Sequence, residues 1–180
     1  FYFFDHRHKK AVEEDEYKRI ADDLYVGKVK SRVEELKKLP QFEPMAKLLS
    51  LNNGLTIDDV VKRYLELKER VEAKVKQPFV SVIGHGDPCF ANTMYNRAKR
   101  TLKFIDPKGA LSEEELWTNP YYDIAKLSHS ICGRYDFFNN AMFDMAVGAG
   151  LETELNIDFD NRGFIELFKA KLEANGYDYN

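Results

Sequence analysis

Cysteine is almost absent: the 180 residues hold two, Cys89 and Cys132. One pair cannot build a disulfide framework, so a hydrophobic core has to hold the chain, and two thiols suit a reducing cytoplasm. Long apolar runs are missing as well. No stretch approaches the roughly 18 residues that a membrane-spanning helix needs, and none reads as a secretory signal. An excess of one charge is also lacking. Lys and Arg number 27 against 30 Asp and Glu, a net of −3, so no basic field draws nucleic acid or an anionic membrane. Proline (6) and glycine (10) are too few and too scattered to make a linker, and no repeat or low-complexity segment appears.

What remains is ordinary for a globular protein: 44% hydrophobic and 32% charged residues, in a length that suits one well-packed domain over residues 1–180. The chain opens on Phe1, and FYFF runs straight into DHRHKK. That reads as the middle of a longer polypeptide, cut before an apolar segment that once had a neighbour, with a processed mature chain as the alternative.

Periodicity predicts helix over the first forty residues. Tyr17, Ile20 and Leu24, then Val29, Val33 and Leu36, recur at spacings of three and four, as one face of a helix does. Gly27 suggests a break between the sets and Pro40 ends the run. A second helix is expected near 56–77, with Ile57, Val60, Tyr64, Leu67, Val71 and Val75 as its stripe. Thr56 would cap it, Asp58 and Asp59 suit its first turn, and Pro78 would stop it. FVSVIG (79–84) and LKFID (102–106) read as strands. Helix returns with YYDIAKLSHSI from about 120. AVGAG (146–150) reads as a turn, and a last helix near 162–174 shows Phe164, Ile165, Phe168 and Leu172 on one face. The fold class is therefore α+β and mostly helical, with a small β-ribbon in the centre. An irregular patch inside a helical scaffold is where chemistry is expected.

That patch is GHGDPCFANTMYN, residues 84–96. Asp87 follows a strand, Asn92 comes five residues later, and Asp106 ends the next strand. Two strands joined by this loop would bring all three to one end of a ribbon. Phosphoryl transfer needs such a set: a carboxylate to take the proton of an attacking hydroxyl, and a carboxylate with an amide as hard oxygen ligands for Mg²⁺. The spacing matches the protein-kinase loop H-R-D-x-x-x-x-N with its later metal-binding Asp.

HGDPCFAN with FIDPKG and YYDIAKL resembles the aminoglycoside phosphotransferase and choline kinase-like enzymes, and is similar to members linked to capsule or surface-polysaccharide synthesis. The matching motifs lie in residues 82–127. The resemblance implies the C-terminal lobe of a protein-kinase-like fold that phosphorylates a hydroxyl of a small polar acceptor, a sugar or an amino alcohol, with ATP and Mg²⁺. It implies Asp87 as the catalytic base and Asn92 and Asp106 as metal and nucleotide ligands. His85 would be structural, and Asp123 would brace the loop. Such enzymes also need a strand-rich N-terminal lobe. The 84 residues before the loop read as helix, so that lobe would be a partner supplied from outside this stretch, and the isolated chain would be inactive.

Two other readings use the same residues. One is a non-catalytic kinase-like binding module. The other is a metal-dependent phosphohydrolase using His85, Asp87 and Asp106, which would call for more ligands than the loop carries. Cys89 lacks an evident base and reads as a buried apolar residue. His6 and His8 beside Asp5 make at most an adventitious metal site. Lys108 could reach a phosphate or a sugar, or sit solvated in its turn. Tyr121, Tyr122, Tyr135, Phe137 and Phe138 read as core. Asp136 and Asp144 are acids that could contact a polar acceptor.

Overall fold

The computed structural model describes residues 2–179. It is α+β, with about half of the residues helical and three small antiparallel sheets among the described residues. The chain forms two compact units.

One unit comprises residues 13–79 and 144–156. Helix α2 (Glu14–Asp22) begins with three acids, Glu14, Asp15 and Glu16, which complement the positive end of the helix dipole. Tyr17 and Ala21, one turn apart, are its buried residues. The expected break at Gly27 does not occur. Gly27 keeps right-handed helical angles (φ −57°, ψ −48°), and one wide π-type stretch, Asp23–Gly27, carries the chain into α3 (Lys28–Lys37). Helix α4 (Phe42–Asn53) ends on Gly54 at φ 60°, where a residue without Cβ is favoured. Helix α5 (Ile57–Glu72) starts, as the sequence predicts, at Thr56. Its end comes earlier than expected, six residues before Pro78, and Lys74 and Val75 turn back onto the Val71 carbonyl. The Tyr64 hydroxyl donates to the Tyr25 carbonyl (2.7 Å), and Lys68 pairs with Asp22 (2.8 Å), so α5 is tied to α2 and the wide turn.

The other unit comprises residues 2–12, 80–143 and 157–179. Residues 9–11, expected as helix, form strand β1 (Lys9–Ala11). It pairs antiparallel with β2 (Val80–Ile83), which pairs on its other side with β5 (Trp117–Thr118). The ribbon expected between 79–84 and 102–106 does not form either. Instead β4 (Thr101–Phe104) pairs with β3 (Thr93–Asn96), with Thr93 opposite Phe104. NRAKR is the turn of that hairpin. A strand beginning straight after Asn92 closes a short local loop, which costs less chain entropy than closing the long one back to β2. The loop that carries Asp87 therefore links two different sheets.

Helix α6 (Tyr122–Ile131) lies at the centre of this unit. Its Ile124 packs in one buried cluster with Phe4 of α1 (Tyr2–Asp5) and with Phe168 and Leu172 of α8 (Arg162–Ala174). Of the apolar face expected on α8, Phe168 and Leu172 are buried while Phe164 is exposed. Helix α7 (Tyr135–Asn139) follows α6 directly. In the 13–79 and 144–156 unit, β6 (Asp144–Val147) pairs with β7 (Thr153–Asn156). Residues 146 and 147, read from the sequence as part of a turn, are thus the end of a strand.

Candidate active site

The loop 84–92 leaves β2 through two glycines that its course requires. A Cβ on Gly84 would lie 2.9 Å from Asp123 Oδ2 and from Thr118 Cγ2, closer than real side chains come. Gly86 has φ +83°, and a Cβ there would lie 2.6 Å from Lys108 Cβ. The backbone runs against Asp123 because Asp123 holds it. Asp123 Oδ2 accepts the His85 N–H (3.0 Å) and Oδ1 accepts the Gly86 N–H (2.8 Å). Both carboxylate oxygens of Asp123 thus hold the start of the loop. Asp123 is fully buried, and its charge is met by Arg7 Nη1 at 3.2 Å. Arg7 also donates to the Phe4 and Pro120 carbonyls. A buried carboxylate needs a partner of this kind. Arg7 was not singled out from the sequence, since nothing in DHRHKK distinguishes it from its basic neighbours.

His85 is buried, and both ring nitrogens are engaged. Nε2 donates to the Ile105 carbonyl at 3.0 Å, and Nδ1 accepts the Asp87 N–H at 3.3 Å, partners that together define the neutral Nε2–H form. The ring lies against Phe104. These contacts are those of a loop-forming residue.

Asp87 is half-buried. Its Oδ1 lies 2.8 Å from Lys126 Nζ on α6. Its backbone carbonyl accepts the side-chain amide of Asn92 (3.0 Å), and that same nitrogen is 3.4 Å from Asp87 Oδ2. The Asn92 amide therefore turns its nitrogen toward Asp87. Asp106 is exposed, just beyond β4, with φ 54°, a left-handed conformation that Asp tolerates better than most residues. The residue before it links all three positions. Ile105 N–H donates to the Asn92 carbonyl (2.9 Å), while Ile105 C=O receives the His85 ring. Lys108 N–H closes the turn onto the His85 carbonyl at 2.8 Å, and its stem covers Gly86. These backbone and ring hydrogen bonds hold the segments that carry Asp87, Asn92 and Asp106 side by side.

The far side of the loop hangs on α6 and α7. The Phe90 N–H donates to Ser130 Oγ (3.1 Å) and the Ala91 N–H to Asp136 Oδ1 (3.0 Å). Asp136 Oδ2 is buried with no hydrogen-bond partner among the described residues. Asp136 is thus an anchor of the loop, and Asp144, its companion in the sequence reading, belongs to the other unit. His129 stacks on Tyr135 (4.3 Å). Burial pushes its pKa down, and the nearby Lys126 charge adds to that, against the pull of Asp136 and Asp87. Of the aromatics expected as core, Tyr122 is buried, Phe137 stacks on Phe159, and Phe138 is exposed.

Among the described residues, no three His, Cys, Asp or Glu side chains converge to hold a metal. The oxygens that Asn92 and Asp106 could offer are different in kind: one amide oxygen and one carboxylate. Mg²⁺ prefers hard oxygen and keeps several waters and phosphate oxygens, so it does not need an all-protein cage. Cys89 is buried and Cys132 is partly so, and both are free thiols. Among the described residues no helix is long and apolar enough to cross a membrane. No protein-family model, no curated protein and no solved structure matches this chain.

Proposed function

We propose that the protein is an ATP- and Mg²⁺-dependent phosphotransferase of protein-kinase-like type, acting on a hydroxyl of a small polar acceptor such as a sugar or an amino alcohol. The observation that carries this is the joining of Asp87, Asn92 and Asp106 through Ile105 and His85. A base and two oxygen ligands on adjoining, hydrogen-bonded segments are what transfer between nucleotide and alcohol requires.

In this reading Asp87 orients the acceptor and takes its hydroxyl proton as the oxygen attacks the γ-phosphorus. The bond to the β–γ bridging oxygen breaks and ADP leaves. Asn92 and Asp106 would hold Mg²⁺, which supplies neutralisation of the phosphate oxygens when bound. The exposed Lys108 stem over Gly86 places a cation on the same turn. Catalysis is then positioning and electrostatics rather than covalent chemistry. The further contacts to the nucleotide come from an N-terminal lobe outside these residues, and a role in surface-polysaccharide synthesis would suit the acceptor class.

The test has two arms. Thermal denaturation is followed with ATP, with and without Mg²⁺, for the wild type and Asp106→Asn. Stabilisation that needs Mg²⁺ and disappears in the variant is expected. In the complete protein, Asp87→Asn should lower phosphate transfer by about a hundredfold or more, as removal of a general base does. Full turnover in Asp87→Asn would overturn the reading.

A further inference from the structure

Lys126 stands out as a charged residue whose position stability does not explain. Its side chain is 28% exposed and that of its partner Asp87 is 41% exposed, and ion pairs as open as this contribute little to folding. Its place on α6 is nevertheless specific. Asp123, Lys126 and Ser130 follow one another at spacings of three and four, so they share a helix face. Asp123 grips the start of the loop, Ser130 the N–H of Phe90, and Lys126 the one acidic side chain between them, Asp87.

Resting on the phosphotransfer reading, we propose that Lys126 is a positioning residue for Asp87: its ammonium takes up Oδ1 and thereby presents Oδ2 to the acceptor hydroxyl. Oδ1 is shielded from solvent, makes no hydrogen bond of regular geometry among the described residues, and lies 2.8 Å from Nζ as an ion pair, whereas Oδ2 has, among the described residues, the long 3.4 Å approach of Asn92. A carboxylate on a loop can rotate about its last torsion. A cation fixed on one oxygen removes that freedom and leaves the other oxygen with one direction. Burial acts to lower the Lys126 pKa, but its pairing with Asp87 outweighs that and raises the value.

The experiment measures Mg²⁺-dependent ATP hydrolysis by the complete protein, with water as the acceptor, in wild type, Lys126→Met, Lys126→Arg, Asp87→Asn and the Asp87→Asn/Lys126→Met double variant. Lys126→Met is expected to lower kcat about tenfold, with the KM for ATP and the thermal midpoint little changed, as for an interaction used in the transition state. Lys126→Arg should recover to within about threefold of wild type, because charge and reach are kept. The double variant should be no slower than Asp87→Asn alone, the signature of a residue that acts through another. A Lys126→Met protein with full kcat, a rise in KM instead, or losses that multiply in the double variant would overturn the proposal. A wild type without hydrolysis, or an Asp87→Asn protein as fast as wild type, would instead bring down the phosphotransfer reading, and this proposal with it.

Discussion

Asp123 ties three separate groups of this structure together. It is an acid with no exposure, and it satisfies two loop N–H groups and one buried guanidinium. Removing it leaves Arg7 charged and buried without its carboxylate. Asp123→Ala should therefore cost about 3–5 kcal/mol, the range for breaking a buried pair from one side. Denaturant unfolding would measure it, and Asp123→Asn should lose less because an amide oxygen can still accept. The sequence made Asp123 visible through its resemblance motif, but not its second partner. Arg7 lies 116 residues away, and pairing over that distance leaves no local pattern to read. Asp136 was likewise indistinguishable from Asp144 until the loop's Ala91 N–H was seen to end on it.

Elements were legible where a local signal was strong. Thr56 and Asp59 form a reciprocal capping box: Thr56 Oγ1 accepts the Asp59 N–H, and the Thr56 N–H donates to the Asp59 carboxylate. Thr56→Ala should destabilise by about 1 kcal/mol, read from the thermal midpoint. The box should also fade with acid. The Thr56 backbone and hydroxyl hydrogen bonds hold the Asp59 carboxyl below its ordinary value of 3.8. A depressed folded pKa contributes stability that is present above the unfolded value and is lost as pH falls through the folded one. The difference between wild type and Thr56→Ala should therefore narrow as the pH is taken below about 4. Strand pairing was less legible. LKFID and FVSVIG were both recognised as strands, yet which strand pairs with which is decided by closure entropy and by β1, whose three residues carry no alternating pattern. The hairpin β6–β7 was missed for a similar reason. Its eight strand residues are all exposed, so the sequence there shows no buried face. Helix α4 has no strong stripe and went unseen, although its Gly54 stop is a common helix ending.

For the molecule as a whole, the central fact is that the loop-bearing unit is assembled from the two ends of the chain and its middle. Phe4, Ile124, Phe168 and Leu172 close one cluster from helices that lie far apart in sequence. Phe168→Ala should cost about 3–5 kcal/mol, as large buried truncations do, and the unfolding of the 84–92 loop should follow the same transition. Monitoring that unit by its near-ultraviolet signal and by denaturant midpoint would check both. The mostly helical α+β character was readable from periodicity. The partition into two units was not, because residues 144–156 join the 13–79 unit from across 64 intervening residues and no linker composition marks the crossing.

The loop's dependence on α6 and α7 has a consequence for anyone who would transplant it. Its N–H groups at His85, Gly86, Phe90 and Ala91 end on the side chains of Asp123, Ser130 and Asp136 rather than on a neighbouring strand. The shape of the loop is therefore spelled mainly outside it. A graft of HGDPCFAN into a foreign host would carry the letters of the chemistry and leave its grammar behind, because Arg7, residues 104–108 and residues 123–136 would all have to travel with it.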